Sequence, residues 1–143
     1  MHRRYIEMSA TQNLTYAIVQ VAHNFGAVAV VGGSLAAIKF RGVETRKWLA
    51  WIAFTGWGTQ AASGAAFGAV SYYFYHQFPD ISGIAVVALV IKMACVAIGF
   101  LLLAMYLFRS ADWTVAKMNA VWIASTSLAI TALSAAAFLR WFS

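Results

Sequence analysis

Residues 81–108 read ISGIAVVALVIKMACVAIGFLLLAMYLF, an apolar stretch whose single charged residue is Lys92. An α-helix needs about 20 apolar residues to cross the hydrocarbon core of a bilayer, and this stretch exceeds that length. The whole chain has the same character, because 63% of its 143 residues are hydrophobic and only 10% are charged. Soluble domains carry about 25% charged residues, so the sequence predicts an integral membrane protein.

Three further stretches are long and apolar, so that four membrane spans are predicted, at about residues 14–40, 48–74, 81–108 and 118–142. The connections between them are short, which places consecutive helices antiparallel to each other. We therefore expect an all-α fold, an integral membrane four-helix bundle with up-down-up-down topology. No repeat or second domain is evident, so residues 1–143 are predicted to form a single transmembrane domain. The motif GAAFG at residues 64–68 and the small residues before it predict close helix packing in the second span; these residues are Gly56, Gly58, Ala61, Ala62 and Ser63.

The net charge of +6 would suggest nucleic-acid binding in a soluble protein. Here the basic residues fall mostly between the apolar stretches, which favours contact with lipid headgroups and no nucleic-acid partner. Six of them lie in or beside the first and third connections: Lys39, Arg41, Arg46, Lys47, Arg109 and Lys117. Three lie on the other side: Arg3, Arg4 and Arg140. The positive-inside rule therefore predicts a bacterial-type inner-membrane protein with both termini outside the cytoplasm.

Two ionisable side chains are predicted to lie deep inside the spans. Lys92 follows the start of the third span by about eleven residues, or roughly 16 Å of helix. His23 lies about nine residues, or roughly 14 Å, into the first span, which starts on the same side of the membrane. The two side chains should therefore lie at similar depth. An ionisable residue inside a span is costly and marks a functional candidate, so His23 and Lys92 form the candidate site.

Small and polar residues share helix faces with these two. Around His23, spacing of three or four residues gives one stripe that we expect to face inward: Tyr16, Gln20, His23, Ala27, Val30 and Ser34. Lys92 has a comparable stripe: Cys95, Gly99 and Tyr106. The second span offers polar residues at middle depth: Thr55, Thr59, Gln60 and Ser63.

His23 is the candidate metal ligand, because an imidazole in an apolar slot is the axial ligand that haem iron requires. Gly26, Gly32 and Gly33 would let the macrocycle approach the backbone. A second imidazole at this depth is missing, which disfavours a bis-histidine haem within the chain. A five-coordinate haem, Lys92 as the second ligand, and a ligand from another subunit all remain open.

The first span, with His23, then NFGAVAVV and then Gly32-Gly33, resembles the first helix of small copper-resistance-D-like (CopD-like) membrane proteins. The motifs FTGWG at residues 54–58 and ALVIKMACV in the third span extend the resemblance. A histidine in span one with a lysine in span three also resembles the HemJ-type protoporphyrinogen oxidases, a four-helix family associated with haem b. The tryptophan often found before the Gly-Gly is Val30 here, and the link KFRGVETRKW lacks the HemJ-type pattern. The resemblance therefore implies roles for His23, as a haem or metal ligand, and for Lys92, as its partner.

These observations predict a small haem-b-binding membrane protein, or a subunit that serves electron transfer in a membrane redox complex. Lys92 would stabilise a haem propionate, ligate iron, or serve a quinone or proton step. One alternative is a CopD-like protein that transports or handles copper, and another is a non-catalytic subunit of a larger membrane assembly or a homo-oligomer. An enzyme acting alone is disfavoured, because no nucleophile–base pair, carboxylate pair or phosphate loop is evident.

Overall fold

The computed structural model describes residues 10–142, and within them the chain forms four long α-helices and no strand. The helices are α1 (Ala10–Lys39), α2 (Val43–Tyr75), α3 (Ile84–Arg109) and α4 (Val115–Phe142), and a short 3-10 turn, Ser110–Asp112, follows α3. Consecutive helices run antiparallel, which confirms the prediction of an all-α, up-down-up-down bundle. One end of the bundle carries the connections 40–42 and 110–114, and we call it the basic end.

Three helices begin earlier than the hydrophobicity pattern predicts, and one of them is α1, which is helical from Ala10 rather than from residue 14. α3 begins later, at Ile84 rather than at residue 81. α2 begins at Val43 rather than near residue 48, because Glu44, Arg46 and Lys47 are good helix formers that extend the helix beyond the apolar stretch. α4 begins at Val115 rather than residue 118. Its first turn is capped by Thr114, whose Oγ1 accepts a hydrogen bond from the backbone N–H of Lys117 at 3.3 Å.

Three of the helices are long and apolar enough to cross a membrane, namely α1, α4 and α3 together with the turn that follows it. Their outer faces carry large apolar side chains that nothing in the described chain covers, such as Phe25 (72% exposed) and Phe108 (76% exposed). A lipid bilayer is the solvent that such faces fit. α2 is as long, with 33 residues, but it is less apolar because it carries hydroxyl and amide side chains.

The hydroxyl and amide side chains in the middle of α2 have hydrogen-bond partners within the bundle. The hydroxyls of Thr55 and Thr59 donate to carbonyl oxygens one turn back in the same helix. Gln60 and Ser63 are buried, and both contact α1. Because these groups are satisfied internally, α2 can cross the same layer as the other three helices in spite of its composition.

The bundle consists of two tightly packed helical hairpins. α1 packs most extensively against α2, and α3 against α4, while the α2–α3 and α1–α4 contacts that join the hairpins are smaller. α1 and α3 therefore lie diagonally opposite each other. Close approach occurs at Gly56, where a Cβ would lie 2.9 Å from the backbone of α1, and at Gly99, which the ring of Trp57 covers.

The GAAFG motif does not make the close packing that the sequence predicts. A Cβ added at Gly64 would meet nothing within 4 Å, and one at Gly68 would meet only the ring of Phe78 at 3.8 Å. The two glycines of the motif therefore make no close contact with a neighbouring helix. The glycine that allows the close approach of α1 is Gly56, two turns earlier in α2.

Arg46 differs from the other basic residues near the connections because it is buried (3% exposed) rather than at the headgroup level. Its Nε donates to the carbonyl oxygen of Ala37 at 3.0 Å, and its Nη2 donates to Oδ1 of Asn119 at 2.7 Å. The guanidinium thus joins the end of α1, the start of α2 and the start of α4. A positive charge is also favourable at a helix C-terminus such as that of α1.

Candidate functional site

His23 lies near the middle of the bundle. It is the fourteenth of the 30 residues of α1, so that about 20 Å of helix separates it from Ala10 and about 24 Å from Lys39. Its side chain is half-buried, and the ring of Phe67 on α2 packs edge-on against it at a centroid distance of 5.8 Å. The imidazole is therefore far from both ends of the bundle.

Lys92 reaches His23 from the opposite corner of the bundle. Its Nζ lies 2.9 Å from Nε2 of His23, although α1 and α3 are diagonal rather than adjacent helices. The long lysine side chain thus crosses the interior between the two hairpins. This contact confirms the prediction that His23 and Lys92 lie at similar depth.

Ser63 of α2 contacts the other ring nitrogen, with Oγ 2.7 Å from Nδ1 of His23. The same hydroxyl lies within hydrogen-bond distance of the carbonyl oxygen of Thr59, which can only accept. Since a hydroxyl has one hydrogen, Ser63 donates it to Thr59 and accepts a hydrogen bond from Nδ1–H of His23. Nε2 then carries the lone pair and accepts from Lys92. The three hydrogen bonds therefore run in one direction: Lys92 donates to His23, His23 donates to Ser63, and Ser63 donates to the carbonyl oxygen of Thr59.

The backbone of His23 is also held, because the amide Nε2 of Gln60 donates to the carbonyl oxygen of His23. One turn on, a Cβ at Gly26 would lie 3.0 Å from Cγ2 of Thr59, and one at Gly33 would lie 3.3 Å from Cβ of Ala53. In this structure α2 therefore occupies the space beside Gly26 and Gly33 that the sequence assigns to a macrocycle. Beside Gly32 a Cβ would meet nothing within 4 Å, so this glycine faces outward.

The predicted inward stripe of α1 is mostly observed. Val30 and Ser34 are buried, and the Oγ of Ser34 lies 2.8 Å from the Oγ of Ser125 on α4. Gln20 is the exception, since it is exposed and donates to Oδ1 of Asn24 on its own helix. The prediction is correct for the companions of Lys92, all of which are buried: Cys95, Gly99 and Tyr106.

Sequence reasoning missed two further cross-links on the same face of α1. Gln12 donates to the hydroxyl of Tyr75 at 2.6 Å, and Ser34 pairs with Ser125. Residues 12, 23 and 34 are eleven residues apart, which is three helical turns, so this spacing could have placed Gln12 and Ser34 on the same face of α1 as His23. Each step covers about 16 Å. Apolar groups such as Val30 lie between them, and the described residues form no unbroken hydrogen-bond chain between the levels.

The site contains no carboxylate and, within the described residues, no group of three histidine, cysteine or acidic side chains that could hold a metal ion. The acidic residues of the described part lie at helix ends or in connections: Glu44, Asp80 and Asp112. Cys95, one turn beyond Lys92, is buried and free. The donors available at this depth are therefore one imidazole and one amine, and any third ligand has to come from outside this pair.

Comparisons with protein-family models, with curated protein sequences and with solved structures find no match to the chain. The functional interpretation therefore depends on the geometry around His23 and on the motifs quoted above.

Proposed function

We propose that the protein is a small integral membrane haem-b-binding protein, or a subunit that serves electron transfer in a membrane redox complex, with His23 as an axial ligand. The observation that supports it is the hydrogen bond from Nδ1–H of His23 to Ser63, which leaves the lone pair on Nε2 directed into the bundle. Ligand histidines in metalloproteins are oriented by a hydrogen bond of this kind on the second ring nitrogen.

Lys92 is the second group of the proposed site. A bound haem would supply a one-electron iron couple in an apolar, water-poor environment. In the structure Nζ of Lys92 is hydrogen-bonded to Nε2 of His23 at 2.9 Å, so the amine would have to move away from Nε2 for His23 to hold the iron. Room for the macrocycle would come from separation of the two hairpins, because their mutual contacts are smaller than those within each hairpin.

Contacts with further subunits and the orientation in the membrane belong to the same proposal. Exposed tryptophans near the helix ends, such as Trp48 (71%) and Trp141 (84%), offer aromatic surface to lipid headgroups or to a partner subunit. The bundle would lie in a bacterial-type inner membrane with its basic end in the cytoplasm and both termini outside it.

The proposal is tested by the haem content of the purified chain and of two variants, measured as the pyridine haemochrome. We expect close to one haem per wild-type chain and a loss of at least tenfold in His23→Ala. His76→Asn is the matched control, because His76 is exposed at the end of α2 with a positive φ of 54° that asparagine tolerates. Haem retention by His23→Ala would overturn the assignment of the ligand.

Copper handling is the second candidate function, and the donor set favours it. The imidazole of His23 and the amine of Lys92 are neighbouring nitrogen donors, and imidazole is a ligand that suits copper. Cys95, one turn from Lys92, is a thiol of the soft kind that Cu(I) prefers. Copper handling predicts a colourless protein that binds about one Cu(I) and loses it in His23→Ala, whereas the haem proposal predicts a Soret band.

A further inference from the structure

A groove at the basic end combines cations with an apolar floor. It is lined by Met105 and Arg109 of α3, by Trp113 of the connection and by Lys117 of α4. The Nζ of Lys117 lies 4.1 Å from the centre of the Trp113 ring, so that the indole holds the ammonium beside the groove. None of the lining residues is acidic, and Asp112, in the adjacent 3-10 turn, is not among them. The groove therefore presents two positive charges without a lining carboxylate.

A second groove at the same end provides a contrast. It is lined by Glu44, Lys47, Trp48 and Trp51, so that its one cation is accompanied by one carboxylate. Both grooves contain tryptophan. Both also lie at the basic end, where Arg46 near the start of α2 contacts Asn119 near the start of α4. Only the groove between α3 and α4 has an excess of positive charge, and that excess distinguishes it as a site for an anion.

The surface next to this groove is suited to a hydrocarbon chain. Leu101, Met105 and Phe108 repeat at four and three residues along α3, and they are 62%, 55% and 76% exposed. Arg109 follows them at the end of the helix, so the cation lies at the headgroup level and the apolar column runs from it into the membrane. Trp113 occupies the interfacial position that tryptophan prefers.

We propose that the groove of Met105, Arg109, Trp113 and Lys117 binds one anionic phospholipid. Arg109 and Lys117 contact the phosphate, and one acyl chain lies along Leu101, Met105 and Phe108. The two cations beside an apolar column favour a lipid over a free phosphate ion, because a phosphate ion has no hydrocarbon chain that could contact the column. It selects an anionic lipid over a zwitterionic one, whose choline group would meet two like charges.

The test compares binding of phosphatidylglycerol and phosphatidylcholine, with identical acyl chains, to the full chain in detergent, counted by native mass spectrometry. The wild type should prefer phosphatidylglycerol by about tenfold or more, and Arg109→Gln/Lys117→Gln should lose that preference. The matched control is Lys39→Gln/Lys47→Gln, which removes two exposed cations from the same end and should keep it. Lys117→Gln alone should lose part of the preference, and circular dichroism should show all variants folded.

Three results would overturn the proposal. The first is a preference for phosphatidylglycerol that survives in Arg109→Gln/Lys117→Gln. The second is an equal loss in the control pair, which would mean that the net charge of the basic end and not this groove attracts the lipid. The third is displacement of the bound lipid by millimolar inorganic phosphate, which would identify a site for free phosphate.

Discussion

At the scale of single residues, hydrogen bonds fix the orientation of one imidazole in the interior of the bundle. The Ser63 hydroxyl donates to Thr59, so it can only accept from His23, and the ring is held with its proton on Nδ1. Nε2 is left to face Lys92. In the proposed site, the imidazole would present this lone pair to a metal without a change of tautomer.

Ser63→Ala should release that orientation. The variant leaves Nδ1–H of His23 without its acceptor, at a cost of about 1–3 kcal/mol in stability or in a change of tautomer. In ¹⁵N-histidine NMR of the cofactor-free protein, the wild type should show the Nδ1–H tautomer for His23, and Ser63→Ala should shift the resonance. Ser71→Ala, which removes a hydroxyl that bonds the carbonyl of Gln77 near the end of α2, serves as the control. An Nε2–H tautomer in the wild type would refute the direction of donation inferred here.

Counting residues along the spans was sufficient to place His23 and Lys92 at one depth, because helical rise is constant. It could not assign Ser63 to His23, since the rotation of α2 about its axis depends on packing between helices. The same limit explains Gln20, whose spacing fits the inward stripe but whose side chain bonds Asn24 on the outer side. The depth of a side chain can be predicted from its position along its own helix. A contact also depends on how the neighbouring helix is rotated.

At the scale of the helices, α2 and α3 approach each other most closely at Gly99 of α3 and Trp57 of α2. A Cβ at Gly99 would overlap the indole of Trp57, which is 1% exposed. Gly99→Ala should therefore separate the hairpins or displace the ring, with a loss of about 1–3 kcal/mol. Thermal or SDS-induced unfolding would measure it. Gly64→Ala is the control with a Cβ in open space, and equal stability of the two variants would exclude the tight contact.

Arg46 gives a second prediction at this scale. Arg46→Met removes charged hydrogen bonds to Ala37 and Asn119 that join three helices, so we expect a loss of about 1.5–3 kcal/mol. The neighbouring Lys47 is exposed, and Lys47→Met should change the stability by no more than about 0.5 kcal/mol. Equal unfolding midpoints for Arg46→Met and the wild type would show that these hydrogen bonds of Arg46 contribute nothing to stability.

Glycine motifs show what the sequence could predict about helix packing. It could predict that small residues of α2 allow close approach, because lipid offers no other strong drive for helix association. It could not predict that Gly56 rather than the GAAFG motif faces α1. Both glycine sets fit a close-packing pattern, and only the contacts of the folded helix separate them.

At the scale of the whole molecule, the up-down topology places four helix ends together at the basic end. The basic end holds most of the Lys and Arg residues of the chain, so we expect it in the cytoplasm. A C-terminal alkaline phosphatase fusion should then be active and a C-terminal green fluorescent protein fusion dark. The reverse pattern would invert the topology and would move the proposed lipid site to the outer leaflet.

The overall architecture was the most predictable part of the structure. Apolar stretches separated by short connections determine the number and the direction of the helices in a bilayer, since each stretch must span it. The partition into two tight hairpins with a smaller interface between them could not be predicted, because it depends on how side chains from four helices interlock. That interface is where Lys92 crosses to His23, and it is the part of the bundle that would have to open for haem.

A dithionite-reduced minus oxidised absorption spectrum of the detergent-purified chain bears on the haem proposal before any variant is made. We expect a b-type α-band and a Soret shift at close to one haem per chain, with iron ligated through His23. A flat spectrum from protein whose circular dichroism shows an intact helical bundle would contradict the proposal, and the pair of His23 and Lys92 would then be examined for copper.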